Sequence, residues 1–274
     1  MIAQCTTKRL ASQAGQPGLA RSRAVCHDTG LAMDDEPPVS SCCLVERGRL
    51  QPLRPEGDKP SPLAVLIHGQ FRGMILSPAF PCLGGSGATR RDEYRFGVYG
   101  PLGSAEATAD CAHDLARFVD ERPAEQHPVA VFVAAFHGPL VPDELAFEQA
   151  LWKHLGGVHE LDVQRSSDRP FPATPVDADD PGFFFRDRDF FVVGFHPASS
   201  RWARRFGWPI LVFNALTHST ELQESGQHER MQQKILARDC ELQGTVNPSL
   251  SYPQRGQFSG RTITAGWRCP ADVE

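Results

Sequence analysis

Residues 129–136, VAVFVAAF, are apolar without interruption, and Pro128 and Gly138 bound the run at the length of one strand. A segment with no polar alternation has no face to give to water, so it fits a strand buried on both faces of a sheet. FFVVGF at 190–195 and WPILVFNA at 208–215 are of the same kind. EYRFGVYG at 93–100 alternates instead, with Tyr94, Phe96 and Val98 spaced by two. Between these strands lie helical patterns. Ser104 is the expected N-cap of a helix through AEATADCAHDLARFVDE, where Ala107, Cys111, Leu115, Phe118 and Val119 recur at three- and four-residue spacings until Pro123 stops it. PDELAFEQALWKHLGGVHELD at 142–162 places Phe147, Leu151, Leu155 and Val158 on one stripe, with Asp143 and Glu144 at its N-terminus. Its Gly156-Gly157 pair marks a place where a backbone could come close to a flat ligand. A third helix is expected from Ser219, with Glu221 in its first turn, through ERMQQKILARD. Together these elements predict an α+β fold, a mixed sheet with packed helices in one domain.

Residues 1–58 show no such period. They are rich in Gln, Ser, Arg, Gly and Pro and run out into LRPEGDKPSP, so they are expected to form a disordered N-terminal extension ahead of a domain at 59–274. Met33 is a plausible true start, which would make part of the extension mis-annotated. LGGSGATRR at 83–91 lacks the GxxxxGK[ST] spacing of a phosphate loop and is taken as a flexible turn. QRSSDRPFPATPVDADDPG at 164–182 is long enough to be a lid or wall over a site. The stretch after Leu242 has no clean period and is expected to be an irregular, partly stranded cover. A net charge of −5 leaves no basic excess for nucleic acid, and no apolar run reaches the roughly 18 residues of a membrane-spanning helix. The eight cysteines are scattered without CxxC spacing, which suits reduced thiols in a cytoplasmic protein. GxSxG and HExxH motifs are absent, which disfavours hydrolases and zincins.

Chemistry concentrates after the second apolar strand. That strand ends in His196-Pro197, followed at once by Ser199, Ser200, Arg201, Arg204 and Arg205. A histidine at a strand end, followed by a basic helix start, suits a buried anionic ligand that contains a metal, such as haem. The imidazole would bind iron, and helix N–H groups and arginine forks would hold carboxylates. The competing reading is a hydrogen-bonded core histidine beside a solvated basic face. His159, one turn after Leu155, is a second ligand candidate, with Asp162 close enough to orient it or to meet a cationic substrate. Cys82 and Cys269 are possible thiolate ligands, against the commoner fate of a buried structural thiol. Glu148 and Asp143 could pair with a guanidinium if they face inward.

Several motifs occur in order: FPC (80–82), LWKHLGGVHELD (151–162), FFVVGFHPASSRWARRF (190–206), LVFNA (211–215), ERMQQKI (229–235), LQGTVNP (242–248), QFSGR (257–261) and WRCP (267–270). Through them the chain resembles the YqcI/YcgG family, which includes haem-dependent guanidine N-hydroxylases of specialised-metabolite and antibiotic biosynthesis. The resemblance implies a haem b monooxygenase that uses O2 and an external electron donor, a flavin- or ferredoxin-type redox partner, to convert L-arginine to N-hydroxy-L-arginine. The resemblance does not select the iron ligand, and among the candidate residues His196 is ranked first, His159 second and Cys82 third. Ser200, Arg201, Arg204 and Arg205 would hold the cofactor's propionates, and Asp162 and Glu148 the substrate guanidinium. One departure stands out: where the family pattern reads FNPH, this chain has Asn214-Ala215-Leu216, with His218 two places later. A haem sensor or carrier without turnover, or an N-oxygenase acting on another amine such as lysine, are the alternatives.

Overall fold

The computed structural model describes residues 40–54, 56–123, 130–165, 182–215, 227–251, 254–263 and 266–270. Seven strands form one mixed sheet: β1 (Cys42–Glu46), β2 (Arg49–Pro52), β3 (Tyr94–Tyr99), β4 (Val131–Phe136), β5 (Phe183–Phe185), β6 (Arg188–Phe195) and β7 (Ile210–Ala215). Their order is β2-β1-β3-β4-β7-β6-β5, with β3 and β4 parallel and every other neighbouring pair antiparallel. The described helices are α1 (Pro62–Ile75), α2 (Leu83–Arg90), α3 (Ala105–Glu121), α4 (Glu144–Arg165), α5 (Gln227–Gln243) and the short α6 (Gln254–Gln257). The chain is thus α+β as expected.

The three uninterrupted apolar runs become β4, β7 and β6, side by side in the middle of the sheet. Alternate side chains on a strand point to opposite faces. Phe132, Ala134 and Phe136 of β4 join Leu211 and Phe213 of β7 in a core with α3 and α4. Val133 and Ala135 join Ile210, Val212 and Phe195 in a second core with α1. The sheet therefore lies between two helical layers, which is why its central strands can dispense with polar alternation.

Ser104 caps α3 through Ala107 N–H, and Ser61 caps α1 through Ala64 N–H with Pro62 in the first turn. Four expectations are corrected. Residues 42–52, read as part of the extension, are a β-hairpin paired to β3; strands of five and four residues are too short to show a period. LGGSGATR is helix α2, not a turn, because Cys82 caps it and Ser86 Oγ ties its first turn to the carbonyls of Ile75 and Cys82. The basic segment after His196 is a bend and a single 3-10 turn (Trp202–Arg204). It doubles back on the strand through His196 N–H to Arg204 O and Phe206 N–H to His196 O, so no helix N-terminus faces a ligand there. Among the described residues the segment after Leu242 holds two short helical turns and no strand. Residues 1–39, the expected lid beyond Arg165 and the helix start at Ser219 lie outside the described residues.

Candidate functional site

The Phe80-Pro81-Cys82 turn delivers a thiol to the N-terminus of α2. Cys82 Sγ accepts a hydrogen bond from Gly85 N–H at 3.3 Å, in the place a capping serine oxygen would take. Beside it lies an apolar cavity of about 80 Å³ on the α1/α2 side of the sheet, walled by Phe71, Phe80, Val133, Phe195 and Val212 among others, with Thr89, Tyr94 and Asn214 as its polar members. Arg238 of α5 clamps the turn from outside by donating to Phe80 O at 2.8 Å and to Pro78 O. Asn214 Nδ2 donates to Phe191 O and Val212 O, which leaves its Oδ1 as an acceptor.

The structure separates the three ligand candidates. Neither His159 nor His196 lines the Cys82 cavity. His196 is fully buried, its ring stacked on Phe147 of α4 at 4.1 Å and 17°, in the opposite layer. Its two ring nitrogens have no hydrogen-bond partner among the described residues, and burial lowers its pKa to about 4. A ligating histidine usually has its second nitrogen fixed by a carbonyl or carboxylate. His159 is buried on α4, and desolvation lowers its pKa against the opposing charge of Asp162. It follows Phe147 by twelve residues, about 18 Å along the helix at 1.5 Å per residue, so the two histidines do not share a site. Cys269 is buried in the core under α3 and α4.

The expected carboxylates already have partners. Glu148 faces inward, as one reading required, but it takes Arg261 Nε and Nη2 in a fork at 2.9 and 2.5 Å and Ser259 Oγ at 3.2 Å. Asp162 accepts Arg186 N–H at 2.7 Å in the β5–β6 turn. Asp143 caps α4 through Ala146 N–H.

The basic cluster is likewise divided. Ser200 donates its N–H and hydroxyl to Glu144. Arg201 is buried on Asp239 at 2.5 Å and on the carbonyl and hydroxyl of Thr245. Arg205 donates to Ser199 O and lies over the Trp202 ring. Arg204 differs: it meets only the carbonyls of Gly194, Phe258 and Gln257 at 3.2 to 3.4 Å, with no ion pair among the described residues. Its guanidinium sits over the ring of Phe195, a wall residue of the cavity. Burial lowers its pKa to about 10, partly opposed by the nearby Cys82 and Asp239.

The turn places a sulfur held by a backbone N–H at a helix start beside an apolar wall, and the half-buried Arg204 has no ion pair among the described residues. As closed, the cavity of about 80 Å³ is well below the roughly 300 Å³ of a small ligand pocket, so these residues do not hold a macrocycle such as haem unless the α1/α2 layer moves off the sheet. The sequence ranks Cys82 third because a buried structural thiol is the commoner fate of such a cysteine; its place as an N-cap is concealed by the glycine-rich run, although Gly85 stands three residues on, the spacing of a cap.

No curated protein and no solved structure matches the chain. The model of the YqcI/YcgG family matches residues 71–272, from the end of α1 through the whole C-terminal segment. With most of its 274 residues so covered, the chain belongs to the YqcI/YcgG family.

Proposed function

We propose that this protein is a haem-dependent N-oxygenase that hydroxylates the guanidino nitrogen of L-arginine, with Cys82 rather than His196 as the protein ligand of the haem. The observation that carries the reading is the Cys82 sulfur at the start of α2, held by Gly85 N–H at the edge of an apolar cavity. Haem, held through the Cys82 sulfur, would supply the activation of O2. The chain's own residues do the rest. The Gly85 amide fixes the position of the sulfur. Arg204 offers a cation to a propionate or a substrate carboxylate. The apolar wall excludes water, and Asn214 Oδ1 gives a guanidinium one acceptor. The choice of arginine as substrate rests on the family resemblance. The carboxylates first considered for it, Asp162 and Glu148, are engaged elsewhere; Glu148 already holds a guanidinium, that of Arg261.

The test begins with the full chain produced with iron and a haem precursor. A Soret band is expected, and its absence in the purified protein refutes the reading. Cys82→Ser should abolish or displace the ferrous carbon monoxide spectrum, whereas His196→Ala should retain it; the reverse pattern restores His196 as ligand. Incubation of the haem form with reductant and either arginine or lysine should add one oxygen by mass to arginine alone. Haem without any such product would make the protein a carrier or sensor.

A further inference from the structure

The Cys82 cavity has a thin cover. Phe80, Cys82, Gly85, Ala88 and Thr89 line it from the side of the FPC turn and α2. Yet of the eight residues of α2 only Ser86, Ala88 and Thr89 are buried, and none belongs to either apolar core. Helix α1 is the reverse, with Ala64, Ile67, Phe71 and Ile75 all part of the core against the sheet. A segment with few buried apolar contacts opens at lower cost than one that carries a core.

The composition of α2 lowers that cost further. It holds Gly84, Gly85 and Gly87, and a glycine inside a helix favours unwinding about fivefold relative to alanine. Packing does not ask for them. A Cβ at Gly84 would meet nothing within 4 Å, one at Gly85 would make ordinary contacts with Cys82 and Phe80 from 3.5 Å outward, and one at Gly87 would meet the end of the Arg91 side chain at 3.3 Å. That side chain is 57% exposed and free to shift. What holds α2 shut is polar and comes from other helices. Arg238 of α5 donates to Phe80 O at 2.8 Å and to Pro78 O just before its start, and Arg72 of α1 donates to Thr89 O at 2.6 Å near its end. Asp239, next to Arg238, is fixed to Arg201 after β6, so the first pin is anchored outside the cover.

We infer that α2 is the gate of the Cys82 cavity: it unwinds between its two arginine pins while α1 stays packed, and so uncovers the sheet wall formed by Val133, Phe195 and Val212. Water replaces the hydrogen bonds that are broken, so their net loss is small. Unwinding also breaks the bond from Gly85 N–H to Cys82 Sγ, which makes opening of the cavity and release of the sulfur one event. The gate goes beyond the function proposed above and does not depend on it, because it admits any ligand too large for the closed volume of about 80 Å³.

Two measurements on the full chain, prepared without added haem, test the gate. Native-state amide exchange reads the unwinding of α2, and labelling of Val133→Cys by a small methanethiosulfonate reads whether opening reaches the cavity, since Val133 is 1% exposed. Cys240, exposed on α5, is the internal control for the reagent. Amides 86–90 should be at least about a hundredfold less protected than those in the middle of α3. The pair Gly84→Ala/Gly87→Ala should slow both their exchange and the labelling of Val133→Cys by about tenfold. Arg238→Met should speed both by about tenfold. Exchange in α1 and labelling of Cys240 should not change. Equal protection of α2 and α3, or a labelling rate indifferent to the alanine pair, overturns the inference. Should Arg238→Met fail to fold, the alanine pair decides, because both of its substitutions favour the helix. A missing Soret band refutes the haem reading and leaves these rates, and the gate, where they stand.

Discussion

Arg201 shows how a residue with the right chemistry for one task can be committed to another. Its guanidinium is buried on Asp239, whose carboxylate also accepts Asn247 N–H, and Thr245 accepts from both of its terminal nitrogens, so a propionate would have to displace an acid already there. Both side chains are under a tenth exposed. Breaking such a pair leaves an uncompensated buried charge, so Asp239→Ala should cost about 3–5 kcal/mol in urea denaturation. The double variant Arg201→Met/Asp239→Leu should recover most of that, because well-packed apolar residues often replace a buried pair at little cost. An unchanged denaturation midpoint in Asp239→Ala would contradict the structural role. The sequence could not assign this role, because the guanidinium and its carboxylate are 38 residues apart and nothing local in SSRWARR distinguishes Arg201 from Arg204. Arg204, by contrast, meets only carbonyl oxygens among the described residues.

Helix α4 is where a correct element concealed a different use. Its boundaries and apolar stripe were legible, with Phe147, Leu151, Leu155 and Val158 all fully buried. Its two glycines were read as room for a ligand. Instead a Cβ on Gly157 would meet Thr108 Cγ2 of α3 at 2.8 Å, while one on Gly156 would meet nothing within 4 Å. Gly157 thus permits close packing of α3 on α4, where Thr108 Oγ1 also bonds His154 Nδ1 at 3.1 Å. Gly157→Ala should destabilise by about 1–3 kcal/mol through overpacking. Gly156→Ala should stabilise by up to about 1 kcal/mol, since helix propensity is the sole change. Adding Thr108→Ser to Gly157→Ala removes the clashing methyl, keeps the hydroxyl for His154 and should restore the lost stability. Thermal unfolding of the three variants checks the assignment, and equal effects of the two glycine substitutions would refute it. Helix α5 is the contrasting case: of residues 230–243 only Asp239 is buried, so Arg238 and Asp239, gripping the FPC turn and Arg201, hold it in place of an apolar stripe.

At the scale of the molecule, the apolar runs revealed a sheet with two covered faces, but not which face each later residue would join. Phe195 and His196 are adjacent in sequence and belong to opposite layers, so a motif that reads as one site is split by the sheet. Burial on both faces has a further consequence, because it strips water from histidines in each layer. Desolvation lowers the pKa to about 4 for His68, about 3 for His154 and about 4 for His196. In the unfolded chain all three titrate near 6.5. Above that value they are neutral in both states and cost nothing. Between about 6.5 and 4 the unfolded chain binds protons that the folded chain refuses, so stability falls as the pH drops, by up to about 1.4 kcal/mol per pH unit for each histidine. Asp114 works in the other direction: desolvation raises its pKa, so its folded form favours the proton, and the stability it adds at low pH is lost as pH rises through that raised value. It softens the acid slope without reversing it. Denaturation midpoints should therefore be level between about pH 7 and 8 and decline steeply from about pH 6 to 4.5. His196→Leu deletes one contribution beside those of His68, His154 and the likewise lowered His159, and should flatten the slope in the pH 5 to 6 interval by about a quarter to a third. An unaltered slope in that variant would mean that His196 is protonated or solvated in the folded protein, and the packing of its ring on Phe147 would have to be abandoned.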